Sequence, residues 1–158
     1  MIKVGRIEAI LWNIGLPGFT QLLSGQIIKG IFFVLLEITL NVASNFNLAI
    51  MYSFLGEFDK AIAVTNYQWL MFYPCLYFFA LWDAYRGAMP ESESGSYFPF
   101  VFGAFFVTTG LMYSPKLILF DLLLGPVFLP ILFLIPGLIV GFILKYLIIY
   151  LHKSRMNH

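Results

Sequence analysis

Long apolar segments alternate with short polar ones along most of this chain. Four of the apolar segments approach the ~20 residues that an α-helix needs to cross the hydrocarbon core of a bilayer. Two polar stretches, 56–67 and 86–96, and a Ser-Pro-Lys turn at 114–116 lie between them. The pattern therefore predicts an all-α membrane protein with four transmembrane helices, at about 27–47, 68–85, 97–113 and 126–150.

The amino-terminal apolar run is too short to be a simple span. It extends from Ile7 to Leu16, which is 10 residues, or about half of the ~20 required. Pro17 removes a backbone donor and Gly18 permits a sharp turn, and a second break follows at Gly25. We predict a short membrane-embedded hairpin at 4–25. The alternative is a crossing that is kinked at the Pro-Gly pair, which would give five spans.

Composition is typical of an integral membrane protein. Of the 158 residues, 61% are hydrophobic and only 11% are charged, whereas a soluble domain has about 25% charged residues. The mean hydropathy is +0.89, and a water-soluble fold could not hide so much apolar surface. We expect one membrane domain over 1–158. The net charge of +1 provides no basic surface for nucleic acid, so we expect no nucleic-acid partner.

The distribution of cations predicts the orientation. Cytoplasmic loops of membrane proteins carry an excess of lysine and arginine. With four spans, Lys145 lies inside the last helix, two cations lie on one side, Lys60 and Lys116, and six lie on the other: Lys3, Arg6, Lys29, Arg86, Lys153 and Arg155. Five spans would place the cations of the two termini on opposite sides. We therefore predict a multi-pass protein of the bacterial cell membrane with both termini in the cytoplasm.

A polar stripe interrupts the first long apolar segment. Glu37, Asn41 and Asn45 have the spacing i, i+4, i+8, with Ser44 beside them, so a helix places them on one face. Ionisable groups in the middle of a membrane-spanning helix face the protein interior or water. One interpretation is a water-accessible polar path for protons or ions, or a pocket for a lipid headgroup. We favour the other, in which Glu37 is protonated or bonded to neighbouring helices and fixes their register.

A second polar group is expected near the inner surface. Gln26 and Lys29 begin the first long segment, while Asp83 and Arg86 end the second. In a four-span topology all four lie at a similar depth, so a Lys29–Asp83 pair and an Asp83–Arg86 pair at i, i+3 are both geometrically reasonable. We interpret this inner-face cluster as an ion pair that clamps the hairpin to the second span rather than as a ligand site.

The hairpin and the end of the second span resemble a known sequence pattern. Pro17-Gly18, Gln21, Gly25-Gln26 and Lys29-Gly30 form the pattern PGxxQxxxGQxxKG, and DAYR follows at 83–86. The combination resembles small integral membrane proteins of Bacillus-type bacteria, loosely similar to TM2-domain proteins. The chain departs from the usual pattern at Thr20, where a glycine is common. The resemblance implies the bacterial plasma membrane as the location and implies no particular activity.

Catalytic motifs are absent from the sequence. Both histidines, His152 and His158, lie in the carboxyl-terminal tail, and the single cysteine, Cys75, has no evident activating neighbour. The motifs HExxH, GxGxxG and GxxxxGK[ST] do not occur, and scattered carboxylates do not make a metal site. We therefore predict no catalytic residue, no cofactor and no metal.

Three functional classes remain. The favoured one is a non-catalytic protein, structural or accessory. Its expected partner is the lipid bilayer, and the further candidates are other membrane proteins or a second copy of the chain. The alternative is a small transporter or channel that uses the Glu37 stripe; an enzyme acting on lipid is a distant third. Transport is less favoured because no second carboxylate or lysine occupies a comparable mid-span position. A GxxxG at Gly137 and Gly141 is interpreted as internal helix packing rather than a partner site.

Overall fold

The protein folds as a bundle of helices with one small β-ribbon. The computed structural model describes residues 4–89, 94–119 and 121–156. In these ranges the helices are α1 Arg6–Gly15, α2 Phe19–Leu23, α3 Ile27–Ser44, α4 Phe46–Phe54, α5 Phe58–Val64, α6 Tyr67–Leu70, α7 Tyr73–Gly87, α8 Phe98–Tyr113 and α9 Gly125–Met156. Strands β1 Ile118–Leu119 and β2 Leu122–Leu123 pair antiparallel. The prediction of a helical protein is confirmed, apart from this ribbon.

Two helices are long and apolar enough to cross a membrane. They are α3 and the 27 residues Gly125–Leu151 of α9; α8 is also apolar but shorter. Only 28% of an 18-residue stretch in each long helix is buried. The core helix of a soluble protein passes the same test of length and composition but is mostly buried, so most of the surface of α3 and α9 faces outward.

The first predicted span ends earlier than expected. Helix α3 stops at Ser44 because Asn45 adopts a left-handed backbone conformation, with φ of 56°, which asparagine tolerates better than most residues. The Asn45 side chain then donates to the carbonyl oxygen of Val64 at 3.1 Å, and the backbone N–H of Asn66 donates to the Ser44 oxygen at 2.9 Å. These bonds hold the end of α3 against the α5–α6 connection, and the chain continues as α4.

The second predicted span is divided as well. Residues 68–85 fall on α6 and α7, and the chain turns between them at Met71 and Phe72. Pro74 has no N–H to donate to the carbonyl oxygen of Leu70, so one uninterrupted helix would lack that bond. Proline is tolerated in a first turn, and the new helix accordingly begins at Tyr73 with Pro74 beside it. The third and fourth predicted spans correspond to α8 and to the greater part of α9.

Glycines bring α8 and α9 into close antiparallel contact. A Cβ atom at Gly141 would lie 2.5 Å from Cα of Pro99, and one at Gly137 would lie 2.8 Å from the carbonyl oxygen of Phe102. Such distances leave no space for a side chain. The GxxxG motif therefore packs within the chain, as expected from its sequence, and it lets two backbones approach closely.

The two ends of the bundle differ in construction. At the end named here the ribbon end, Phe128 at the start of α9 packs against Phe54 and Phe58 of α4 and α5, beside the β1–β2 ribbon. At the opposite end, the hairpin end, α1 lies antiparallel to α7 and α2 lies against α3. A Cβ atom at Gly30 of α3 would lie 2.5 Å from Leu22, so α2 sits directly on α3.

Candidate functional site

A buried asparagine holds the amino-terminal hairpin. Gly18 turns the chain between α1 and α2 with φ of 99°, a conformation that glycine adopts without strain. The Oδ1 atom of Asn13 accepts hydrogen bonds from the backbone N–H groups of Gly18 and Thr20, both at 3.2 Å. Its Nδ2 donates to the carbonyl oxygen of Ala80 in α7 at 2.8 Å. Asn13 is fully buried, so it satisfies the free N–H groups at the start of α2 and links the turn to α7.

Thr20 closes the same turn from the other side. Its hydroxyl donates to the carbonyl oxygen of Ala9 in α1 at 2.7 Å. Glycine at this position could not make the bond, so the threonine side chain adds a contact between α1 and α2.

Asp83 is the point at which the hairpin, α3 and α7 meet. Nζ of Lys29 lies 3.0 Å from Oδ1 of Asp83, and Nε2 of Gln21 donates to Oδ2 at 3.0 Å. Gln21 is fully buried and also donates to the Ala80 carbonyl oxygen at 3.2 Å. Each carboxylate oxygen of Asp83 thus has its own donor, one from α2 and one from α3. We call Asn13, Thr20, Gln21, Lys29 and Asp83 the hairpin cluster.

The other two members of the inner-face cluster lie outside this network. The guanidinium of Arg86 lies over the Trp82 ring, 5.3 Å from its centroid, and forms no ion pair with any residue that the structure describes. Gln26 is exposed, and its backbone N–H closes the α2–α3 turn by donating to the Gln21 oxygen at 2.8 Å. The tertiary structure therefore brings Lys29 and Asp83 together and leaves Gln26 and Arg86 apart from them.

Asn13 and Gln21 belong to the hairpin cluster, and the sequence patterns assigned a role to neither of them. Gln21 belongs to the PGxxQxxxGQxxKG pattern, so its place in that pattern was an available signal. Asn13 had a weaker signal, since it is the only amide in the apolar run of α1. Neither signal indicates the partner, because Ala80 and Asp83 lie about sixty residues further along the chain.

The polar stripe is shorter in the fold than in the sequence. Glu37 is buried, and its Oε1 accepts a hydrogen bond from the Tyr73 hydroxyl at 2.5 Å. Ser44 donates to the Leu40 carbonyl oxygen of its own helix. Asn45 ends α3 and lies exposed. Of the four predicted members, only Glu37 and Asn41 remain as buried or half-buried polar groups on one continuous face that do not bond to their own helix.

Tyr73 connects this stripe to the hairpin. Its ring stacks on that of Tyr77, with 5.8 Å between centroids, and the Tyr77 hydroxyl donates to the carbonyl oxygen of Ile14 at 3.0 Å. Glu37 of α3 is thereby joined through two tyrosines of α7 to the end of α1. This arrangement holds three segments in one register.

Two buried acceptors in the stripe have no donor among the described residues. They are Oε2 of Glu37 and Oδ1 of Asn41, one helical turn apart. A proton on Oε2 would turn that atom into a donor, and the Asn41 amide oxygen is the acceptor one turn away. Within the described ranges, no group of three histidine, cysteine, aspartate or glutamate residues could hold a metal ion.

The chain matches no protein-family model, no curated protein and no solved structure.

Proposed function

We propose that the chain is a four-span integral membrane protein of the bacterial plasma membrane, with the α1–α2 hairpin embedded in one leaflet. Helix α3 and residues Gly125–Leu151 of α9 supply two spans. Helices α6 and α7 together, and α8, supply the other two. Successive segments run in opposite directions between the hairpin end and the ribbon end, as a multi-pass topology requires. The hairpin does not cross, because α1 and α2 lie beside the same half of α7.

The described cations support a cytoplasmic hairpin end. Arg6, Lys29 and Arg86 lie at the hairpin end, whereas Lys60 and Lys116 lie at the ribbon end. The positive-inside rule then assigns the hairpin end to the cytoplasm, together with both termini. The resemblance of the hairpin motif to small membrane proteins of Bacillus-type bacteria agrees with this location.

Within the membrane we infer a non-catalytic role, structural or accessory, that depends on contacts with other membrane components. The observation that carries this inference is the direction of the polar groups. Asn13, Gln21 and Glu37 point inward and bond to other helices, while the outward surface is apolar, as at Ile28 and Phe105, which are 88% and 63% exposed. Polar contacts of this kind fix helix register, and an apolar outer surface is free to contact lipid or another membrane protein.

Thiol accessibility tests the dry, structural interpretation of the stripe. In a Cys75→Ser background, Glu37→Cys and Asn41→Cys are treated in intact cells with a small membrane-impermeant maleimide. We expect no labelling at either position, with Asp59→Cys labelled as the exposed control. Labelling that reaches position 37 would mean a water-filled path and would replace the structural role with transport.

A small transporter is the second candidate, and one observation favours it. Oε2 of Glu37 and Oδ1 of Asn41 are buried acceptors without a donor in the described chain, and such a pair suits a proton or a cation. Reconstituted vesicles with an internal pH dye distinguish the two functions. Proton or cation flux above that of empty vesicles, abolished by Glu37→Gln, would establish transport; flux equal to that of empty vesicles is expected for the structural role.

A further inference from the structure

We propose that the groove between α7 and α8 binds an acyl chain of an anionic phospholipid, whose phosphate is held by Arg86. This inference rests on the membrane location proposed above and names one membrane component with which the chain interacts.

The groove has the size and lining of a lipid-chain site. Its volume is about 610 Å³, within the range of about 300–1,000 Å³ for small-molecule sites. Its walls are almost entirely apolar: Cys75, Phe79 and Trp82 from α7 face Val101 and Thr108 from α8 and Tyr97, which directly precedes α8. From Tyr97 to Thr108 the helix rises about 16 Å at 1.5 Å per residue. The groove is therefore elongated along the helix axes, which is the shape that an extended chain fills.

One end of the groove carries a positive charge. Trp82 and Tyr97 lie toward the hairpin end, where α7 finishes and α8 begins. Arg86 follows one turn after Trp82, and its guanidinium lies 5.3 Å from the centroid of that ring. The contact orients the cation at the mouth of the groove, and an arginine over a tryptophan face is a favourable pair.

Arg86 is an exposed cation held beside Trp82 at this end of the groove. Lys29 is engaged by Asp83 at 3.0 Å, whereas Arg86 is exposed and makes no ion pair with the residues in the described ranges. Its planar guanidinium matches phosphate through two parallel hydrogen bonds. Anionic lipids are enriched in the cytoplasmic leaflet, and basic sites beside membrane helices at that side bind their headgroups. A zwitterionic lipid offers the same phosphate together with a cation that Arg86 repels.

Quenching of Trp82 by brominated lipid tests the proposal. Trp12→Phe and Trp69→Phe leave Trp82 as the single tryptophan, and neither replaced residue lines the groove. Phosphatidylglycerol or phosphatidylcholine with brominated chains is titrated into the protein in detergent micelles. We expect half-maximal quenching at about fivefold lower phosphatidylglycerol than phosphatidylcholine, the ratio that about one cation near an anionic surface contributes.

Two kinds of variant distinguish binding of the lipid headgroup from binding of the acyl chain. Arg86→Gln should equalise the two lipids, while Lys116→Gln, which removes a cation of the ribbon end, should leave the preference unchanged. Ala104→Phe, which fills the groove, should weaken quenching by both lipids, and Ala63→Phe on exposed α5 should not.

Failure of the lipid site can be distinguished from failure of the proposed function. Equal quenching by both lipids in the wild-type protein, or a preference that survives Arg86→Gln, would overturn the lipid site. Either result would leave the thiol accessibility of the stripe unaffected. Conversely, a protein that remains soluble without detergent would overturn the membrane location itself before any lipid is added.

Discussion

Gln21 donates a hydrogen bond to Asp83 at 3.0 Å across 62 residues of sequence, and Lys29 occupies the other oxygen of the same carboxylate at the same distance. Asp83 is therefore the shared acceptor for a short helix of the hairpin and for the first long helix. The PGxxQxxxGQxxKG pattern and the DAYR sequence are two halves of one contact. In this chain the donors of the first segment, Gln21 and Lys29, meet the acceptor of the second.

Asp83→Ala should loosen the hairpin without preventing membrane insertion. The change removes the acceptor of Lys29 and one of the two acceptors of the buried Gln21, which keeps its bond to the Ala80 carbonyl oxygen. We expect the free energy of unfolding to fall by about 1–3 kcal/mol, toward the lower value because the Lys29 side chain is 46% exposed. Thermal unfolding in detergent measures the effect, and Asp59→Asn, at an exposed carboxylate of α5, is the control. Unchanged melting of the Asp83 variant would contradict the clamp.

Asn13→Leu tests the centre of the hairpin. Leucine has a similar volume but makes none of the three hydrogen bonds of Asn13, so the N–H groups of Gly18 and Thr20 lose their acceptor. We expect a loss of about 2–4 kcal/mol, since each buried group left unpaired costs about 1–3 kcal/mol. Asn47→Leu, at an exposed amide of α4, should change stability little.

Unfolding of both asparagine variants in a graded series of denaturing detergent would measure the difference. The hairpin should also open, which limited proteolysis near Pro17 reports. Equal stability of the two variants would show that Asn13 is replaceable by any side chain of its size.

Glu37→Gln and Glu37→Leu distinguish a neutral from a charged side chain in the stripe. Glutamine keeps an acceptor for the Tyr73 hydroxyl and adds an N–H donor, as a protonated carboxyl does. We expect Glu37→Gln to melt at the wild-type temperature or above it. Glu37→Leu should be less stable by about 1–2 kcal/mol, because the Tyr73 hydroxyl then loses its acceptor.

Thermal unfolding of the two variants, measured side by side, decides whether the Glu37 side chain is neutral or charged. A Glu37→Gln protein as unstable as Glu37→Leu would mean that the ionised carboxylate is required. Tyr73→Phe provides the reciprocal variant and should destabilise the wild-type protein more than it destabilises Glu37→Leu, where its partner is already missing.

Gly141→Ala should force α8 and α9 apart. The new methyl group would lie 2.5 Å from Cα of Pro99, which is backbone and cannot rotate away. We expect a loss of about 1–3 kcal/mol, the usual cost of overpacking. Gly15→Ala is the matched control, because a Cβ atom there meets nothing within 4 Å. Equal melting temperatures for the two variants would show that the GxxxG contact is loose.

Hydropathy alone located the apolar helices but not their interruptions. The predicted span 97–113 coincides with α8, because Phe98–Tyr113 is a continuous apolar run bounded by polar residues. The predicted span 27–47 extends beyond α3, because Asn45 adopts a left-handed conformation and bonds to Val64, which lies 19 residues further along the chain. Pro74 was a local signal for the division of the second span, and its effect on the Leu70 carbonyl could be worked out without a fold.

The site also had some features that the sequence determined and others that required the tertiary structure. Local sequence was sufficient for the helical class, the Pro17-Gly18 break and the internal use of GxxxG, because hydropathy, proline and glycine act through their own backbone and nearest neighbours. The pairing of Asn13 with Ala80, of Gln21 with Asp83 and of Glu37 with Tyr73 required the tertiary structure. Each of these bonds joins residues at least 36 positions apart, and only the packing of α1, α2 and α3 against α7 brings donor and acceptor within bonding distance.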